Sequence, residues 1–224
     1  MLRALDGGTS LALGTDSYVV ADVPAGLVIG HDDPGNPTSP PGLSVRDPST
    51  GAMLRDLGVG FPLGAQGNSM VVRDSDCASS PLPPSCTLIR IDLASGRPTQ
   101  TYPLPAGTVP VSNAVFSADA KLMAFQLAQA HPDLRFTAGD TFPPSDVAIL
   151  NLDSGVVDVI ANMEIPEKTM VGLAFDATGR SLFVTVDEGN HSDLLIWQEG
   201  MDGPALVTTL AGAVVESPPI LALR

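Results

Sequence analysis

One phrase recurs along this chain of 224 residues and limits what it can fold into. A short apolar run meets Asp or Asn, and a turn of small residues follows that ends in glycine. The copies read LSVRDPSTG at Leu43–Gly51, LIRIDLASG at Leu88–Gly96 and AILNLDSG at Ala148–Gly155, with a looser fourth, LLIWQEGMDG, at Leu194–Gly203. Their closing glycines stand roughly 45, 60 and 48 residues apart, and self-similarity at such a period marks stacked supersecondary units.

Each unit reads as four short strands, A to D. In the third unit A lies near Ser112–Phe116, SADAK makes a turn, B is Leu122–Leu127, C is Val147–Leu152 and D is Val156–Ala161. In the fourth, A is Val171–Phe175, B Ser181–Val186, C Leu194–Trp197 and D Ala205–Leu210. Asp and small residues sit between the apolar runs, where Asp and Asn bond their own backbone and Gly supplies positive φ. Gly (22) and Pro (21) are spread as turn punctuation, and no ten-residue segment free of both keeps a 3.6 period. The chain is therefore expected to be all-β, a β-propeller with about four complete four-stranded blades at 15–58, 59–105, 109–162 and 169–211. Partial blades are expected at both ends, 1–14 and 214–224. Two arrangements fit: a fragment of a larger propeller, or a compact ring closed by pairing of the two remnants.

The residues at the corners resemble a known family. FSADAKLMAF and FDATGRSLFV are similar to the FSPDGKxLAF signature of TolB-like and WD40-like propellers, and VRDPSTG and LNLDSG to that family's WDxxTG blade turn. The resemblance covers about Ser17–Leu210. The string is most similar to the C-terminal part of secreted or membrane-anchored actinobacterial propeller proteins, which implies an upstream half holding more blades and an anchor or signal. A propeller signature speaks to fold and hardly to function.

Acidic residues outnumber basic ones by 25 to 11, for a net charge of −14. A phosphate backbone or an anionic membrane surface would be repelled, so nucleic acid is not expected as a partner. No apolar stretch reaches the roughly 18 residues of a membrane span, so direct insertion of this segment is not expected either. Met1–Gly14 has no apolar run of the kind a signal peptide needs, which by itself reads as cytoplasmic. The cysteines point the other way. Cys77 and Cys86, the only two, flank ASSPLPPS, a loop short enough to return the chain to disulfide distance. A structural disulfide and an extracytoplasmic location follow; two free thiols at the ends of a loop are the alternative.

Long excursions are expected between strands B and C of every unit: Gly30–Gly42, Asp74–Cys86, Ala128–Asp146 and Asp187–Asp193. In a propeller these emerge on one face of the disc, and insertions gathered on one face mark a binding side. They hold His31, His131 and His191 and many acids. Two groupings, His31-Asp32-Asp33 and Asp187-Glu188-His191, have the residue types of a metal site. The plainer account is that loops are polar and histidines avoid β cores, and no cofactor is expected. Trp197 reads as packing between sheets. No catalytic motif is present, and the A strands YVV, FPLGA, SNAVF and VGLAF carry no acid or histidine to face a central channel. The expectation is a non-catalytic module whose B–C loops engage a protein, peptide or glycan. A hydrolase or lyase working in the funnel, and a structural ectodomain, are the rivals.

Overall fold

The computed structural model describes residues 16–36, 39–74, 77, 86–111, 114–129, 144–166, 169 and 171–211. The expected remnants at 1–14 and 214–224, and His131, lie outside them. The described chain holds seventeen β-strands and no helix.

The strands form four antiparallel meanders. The first sheet runs β1 (Ser17–Val23), β2 (Gly26–His31), β3 (Gly42–Arg46), β4 (Met53–Val59). The second runs β5 (Phe61–Gln66), β6 (Ser69–Arg73), β7 (Thr87–Asp92), β8 (Arg97–Pro103). In the third, β10 (Val115–Phe116), β11 (Leu122–Gln129), β12 (Ser145–Asn151) and β13 (Val157–Val159) follow in order, and β9 (Thr108–Pro110) also pairs with β11. The fourth runs β14 (Val171–Phe175), β15 (Ser181–Asp187), β16 (His191–Gln198), β17 (Ala205–Ala211). This is the expected β-propeller fold class.

The sheets fall into two compact units of two sheets each. In the first, Val28 and Val45, paired across β2 and β3, pack with Met70, Val72 and Ile91 of the second sheet. In the second, Val147 and Ile149 pack against Leu173, Leu182 and Val184, with Leu195 and Trp197 at the margin. Trp197 stands opposite Leu182 and so takes the packing role expected of it. Within each unit the innermost strands are neighbours: β1 lies beside β5, and β10 beside β14. The middle strands are covered on both faces, which is why β11 (LMAFQLAQ) and β12 (SDVAILN) read as nearly continuous apolar runs rather than alternating ones. The polar side chain in the middle of β11, Gln126, is buried but satisfied: its Nε2 donates to Ser145 Oγ at 2.6 Å and to the Thr169 carbonyl at 2.9 Å.

The recurring phrase is a single turn built three times. Asp47 Oδ1 accepts from the Ser49 and Thr50 amides, each at 2.8 Å, and the Gly51 amide donates to the Asp47 carbonyl at 2.9 Å. Asp92 accepts from the Ser95 amide, and Asn151 from the Asp153 and Ser154 amides. Gly96 and Gly155 close back on the Asp92 and Asn151 carbonyls at 2.8 Å. The three glycines have φ of 73, 69 and 77°, the left-handed region. An Asx side chain holds the start of the turn and a residue without Cβ ends it. Gln198 replaces the Asx in the looser copy, and there the turn closes differently, from the Met201 amide to the Gln198 carbonyl.

Two strand expectations are corrected. Of the innermost strand expected near Ser112–Phe116 in the third sheet, Ser112 and Asn113 lie outside the described residues; the described strands are β9 and β10, which pair with opposite ends of β11, Leu127–Gln129 and Met123–Ala124. The last B–C connection is no long excursion. β15 and β16 extend to Asp187 and His191, leaving only Glu188-Gly189-Asn190 between them. The Glu188 amide donates to the His191 carbonyl, and Gly189 takes a φ of +84°. Polar residues there belong to strand ends, and polarity alone had read as loop.

Candidate functional site

Of the expected B–C excursions, those from β2 to β3, from β6 to β7 and from β11 to β12 remain long. Each begins or ends at side chains with unusual surroundings.

At the first, residues that are adjacent in sequence take different partners. Successive side chains of an extended strand point to opposite faces. His31 pairs across the sheet with Ser17, and its Nδ1 lies 2.9 Å from Ser17 Oγ. Asp32 belongs with Tyr18 instead, and Asp33 Oδ1 accepts from the Gly35 amide at 2.9 Å. Tyr18 stands opposite Gly30, and its ring lies where a Cβ on Gly30 would sit, with Oη 2.7 Å from that position. Burial, and then the Asp32 carboxylate, push its phenol up to about 12. A pocket of about 490 Å³ opens beside this corner, lined by His31, Asp32, Asp33, Pro34, Ser39, Pro40, Gly42 and Val59.

At the second, Cys77 and Cys86 form a disulfide that closes the connection at its base. Both are 1% exposed. The Cys77 amide donates to the Asp74 carbonyl, and the Leu104 amide to the Cys86 carbonyl. Just before it, at the end of β6, the buried Arg73 guanidinium lies 4.4 Å from the centroid of the Phe61 ring. Desolvation lowers its pKa to about 10. An aromatic face in place of water is a known setting for Arg. Residue type alone did not mark Arg73; the cross-strand pairing of Phe61 with Arg73 is what unites them.

At the third, Asp146 near the start of β12 has its carboxyl raised by burial and then by Glu164. At the tight β15–β16 turn, His191 Nδ1 lies 2.6 Å from Asn190 Oδ1, and Nε2 lies 3.7 Å from Asp193 Oδ1. Asp187 Oδ1 accepts from the Gly189 amide. Register places His191 and Asp193 on one face and Asp187 with Ser192 on the other. Among the described residues no three His, Cys, Asp or Glu side chains converge as a metal would need.

Neither a protein-family model nor a curated protein matches the chain. Solved structures do. Hydrazine synthase of Kuenenia stuttgartiensis aligns at a TM-score of 0.53 and 14% identity, over 83% of this chain and 59% of that one. A structure from a study of two prolyl endopeptidases, titled for the role of inter-domain dynamics in catalysis and specificity, aligns at 0.52 and 14%, over 88% and 30%. Pyrococcus horikoshii acylaminoacyl peptidase aligns at 0.53 and 10%, over 86% and 32%. At these identities the likeness shows the fold alone, and the chain spans between 30% and 59% of those chains.

These structures correct one expectation. A strands without acid or histidine lead to the expectation of no enzyme, yet these three structures that share the fold are of enzymes. The inference failed because it asked the innermost strands to supply the chemistry. In a chain two or three times longer, catalytic groups need not come from the propeller at all.

Proposed function

We propose that this chain is the propeller portion of a hydrolase acting on polypeptides, and that its long connections contact the peptide substrate. The observation that carries this reading is the likeness to two peptidase structures at TM-scores of 0.52 and 0.53, each matched over about a third of its length. Long connections follow the second strand in three of the four sheets, and binding residues gather on loops carried by such strands. In the prolyl endopeptidases inter-domain dynamics have a role in catalysis and specificity. Here the corresponding part is selectivity exerted by residues 32–41, 74–86 and 130–144, at a distance from the bond that is cut.

The Cys77–Cys86 disulfide supports an oxidising, extracytoplasmic compartment. Among the described residues no helix is long and apolar enough to cross a membrane. The net charge of −14 favours a basic peptide over an acidic one.

The test uses the protein with its native flanking sequence. Hydrolysis of a short peptide anilide and of a basic peptide of about 20 residues is measured before and after residues 32–41 are replaced by a Gly-Ser linker. Selectivity through this surface predicts that kcat/KM on the long peptide falls about tenfold or more while the anilide is cut as before. Absence of amide hydrolysis in the flanked protein, or an equal effect on both substrates, refutes the reading.

A further inference from the structure

Each sheet ends in an outer strand, and three of the four are guarded. β4 carries Arg55 and Asp56, β8 carries Arg97 with Pro98 and Pro103, and β13 has three residues with Asp158 at its centre. Charge, proline and brevity are the usual means by which an edge avoids pairing with another chain. β17 has none of them. It is seven residues long and reads ALVTTLA. Leu206, Val207 and Leu210 are 59%, 50% and 52% exposed, so this apolar edge faces solvent. Among the described residues β17 pairs only with β16. One register shift interrupts it near Leu206; beyond that, Thr208–Ala211 runs in regular register against His191–Leu194.

We propose that the outer edge of β17 accepts an extended polypeptide segment bearing lysine or arginine, which adds a fifth strand to the fourth sheet. Backbone pairing to the unguarded edge supplies affinity, and the charge of the surroundings selects the partner. Asp193 stands opposite Thr209 on the neighbouring strand, Glu199 and Asp202 lie in the turn that leads into β17, Glu188 lies in the turn before His191, which pairs with Ala211, and no Lys or Arg occurs between Asp187 and Ala211. Thr209 Oγ1 donates to Asp193 Oδ1 at 2.6 Å, so that carboxylate is held at the strand. A second copy of this chain would bring the same acidic flanks against these, so charge opposes it as the occupant. The proposal draws on none of the long connections, and its test does not depend on hydrolysis.

The experiment uses the full chain and fluorescein-labelled hexapeptides in fluorescence polarisation. The probe is Lys-Val-Lys-Val-Thr-Val; the controls are Glu-Val-Glu-Val-Thr-Val and two forms of the lysine peptide, one N-methylated on the odd-numbered amides and one on the even-numbered. The lysine peptide is expected to bind about tenfold or more tightly than the glutamate peptide at low salt, with the preference shrinking as salt rises. N-methylation along the pairing edge should abolish binding, and Leu210→Lys should weaken it at least about tenfold. Circular dichroism checks that the variant is folded, and the N-methylated peptides test the pairing on the unaltered protein. No saturable binding of the lysine peptide overturns the proposal. So does equal binding of the lysine and glutamate peptides, undiminished binding of both N-methylated forms, or a folded Leu210→Lys protein that binds as before.

Discussion

Reduction of the Cys77–Cys86 bond should destabilise the protein by an amount that the chain itself sets. The bond closes a segment of ten residues, 77 to 86, between β6 and β7. Loop-closure entropy for a segment of that length is about 9 cal/mol/K, or about 2.7 kcal/mol at 25 °C. Both sulfurs are buried at 1% exposure, and the flanking amides of Cys77 and Leu104 are already hydrogen-bonded. The folded state therefore has little reason to rearrange when the bond is cut, and the loss falls on the unfolded side of the balance. For a chain of this size about 1 kcal/mol corresponds to about 2–4 °C, so the transition should drop by about 5–10 °C. Calorimetry of oxidised protein, of protein reduced under denaturant and refolded with reductant, and of the Cys77→Ala/Cys86→Ala double variant separates the cross-link from the loss of the sulfurs. Oxidised and reduced melts that coincide within about 2 °C would refute the entropic account. Two thiols reacting freely in the untreated native protein would remove the bond itself, and with it the support for an oxidising compartment.

Other consequences follow from single positions. Ala120 takes a φ of +56° at the turn where Gly179 takes +72° in the next sheet, so Ala120→Gly should stabilise by about 0.5–1 kcal/mol, read as a higher midpoint in chemical denaturation. Gly30→Ala places a Cβ in the Tyr18 ring and should displace it, moving the Tyr18 titration from about 12 back toward about 10 in an ultraviolet difference titration. The phenol is raised because its ionised form is disfavoured in the folded state. Its contribution to stability is therefore intact below about pH 10 and is lost as pH climbs toward 12. Asp47 is depressed to about 2, first by the Ser49 hydroxyl and then by the Thr50 and Ser49 amides. Its contribution is thus present above about pH 4 and lost as pH falls toward 2, and Ser49→Ala should raise its carboxyl 13C titration midpoint.

Much of the fold was legible because its cause is local. The DPSTG, DLASG and NLDSG turns are closed by an Asx side chain, two or three nearby amides and a glycine. All those groups lie within five residues, so the sequence carries them complete. Strand boundaries followed to within a few residues where turn chemistry brackets an apolar run, as at β14 and β15. They failed at β9 and β10, because Thr108–Pro110 earns its place by pairing with Leu127–Gln129, a relation between distant segments.

The candidate site was less legible, and the pleat explains why. His31, Asp32 and Asp33 are consecutive, and so are Asp187 and Glu188, which suggests clusters on the page. Partners differ instead: His31 goes to Ser17 and Asp32 to Tyr18, although both line one pocket with Asp33, and His191 shares a face with Asp193 rather than Asp187. Arg73 and Phe61 show the converse, twelve positions apart in sequence and stacked across a strand pair. By itself the sequence determined the repeat, the turns, the all-β class and the acidic surface, since each rests on short-range bonding or on composition. Tertiary structure alone decided which side chains meet, which edge is left unguarded and which sulfurs are buried, since those depend on register and face.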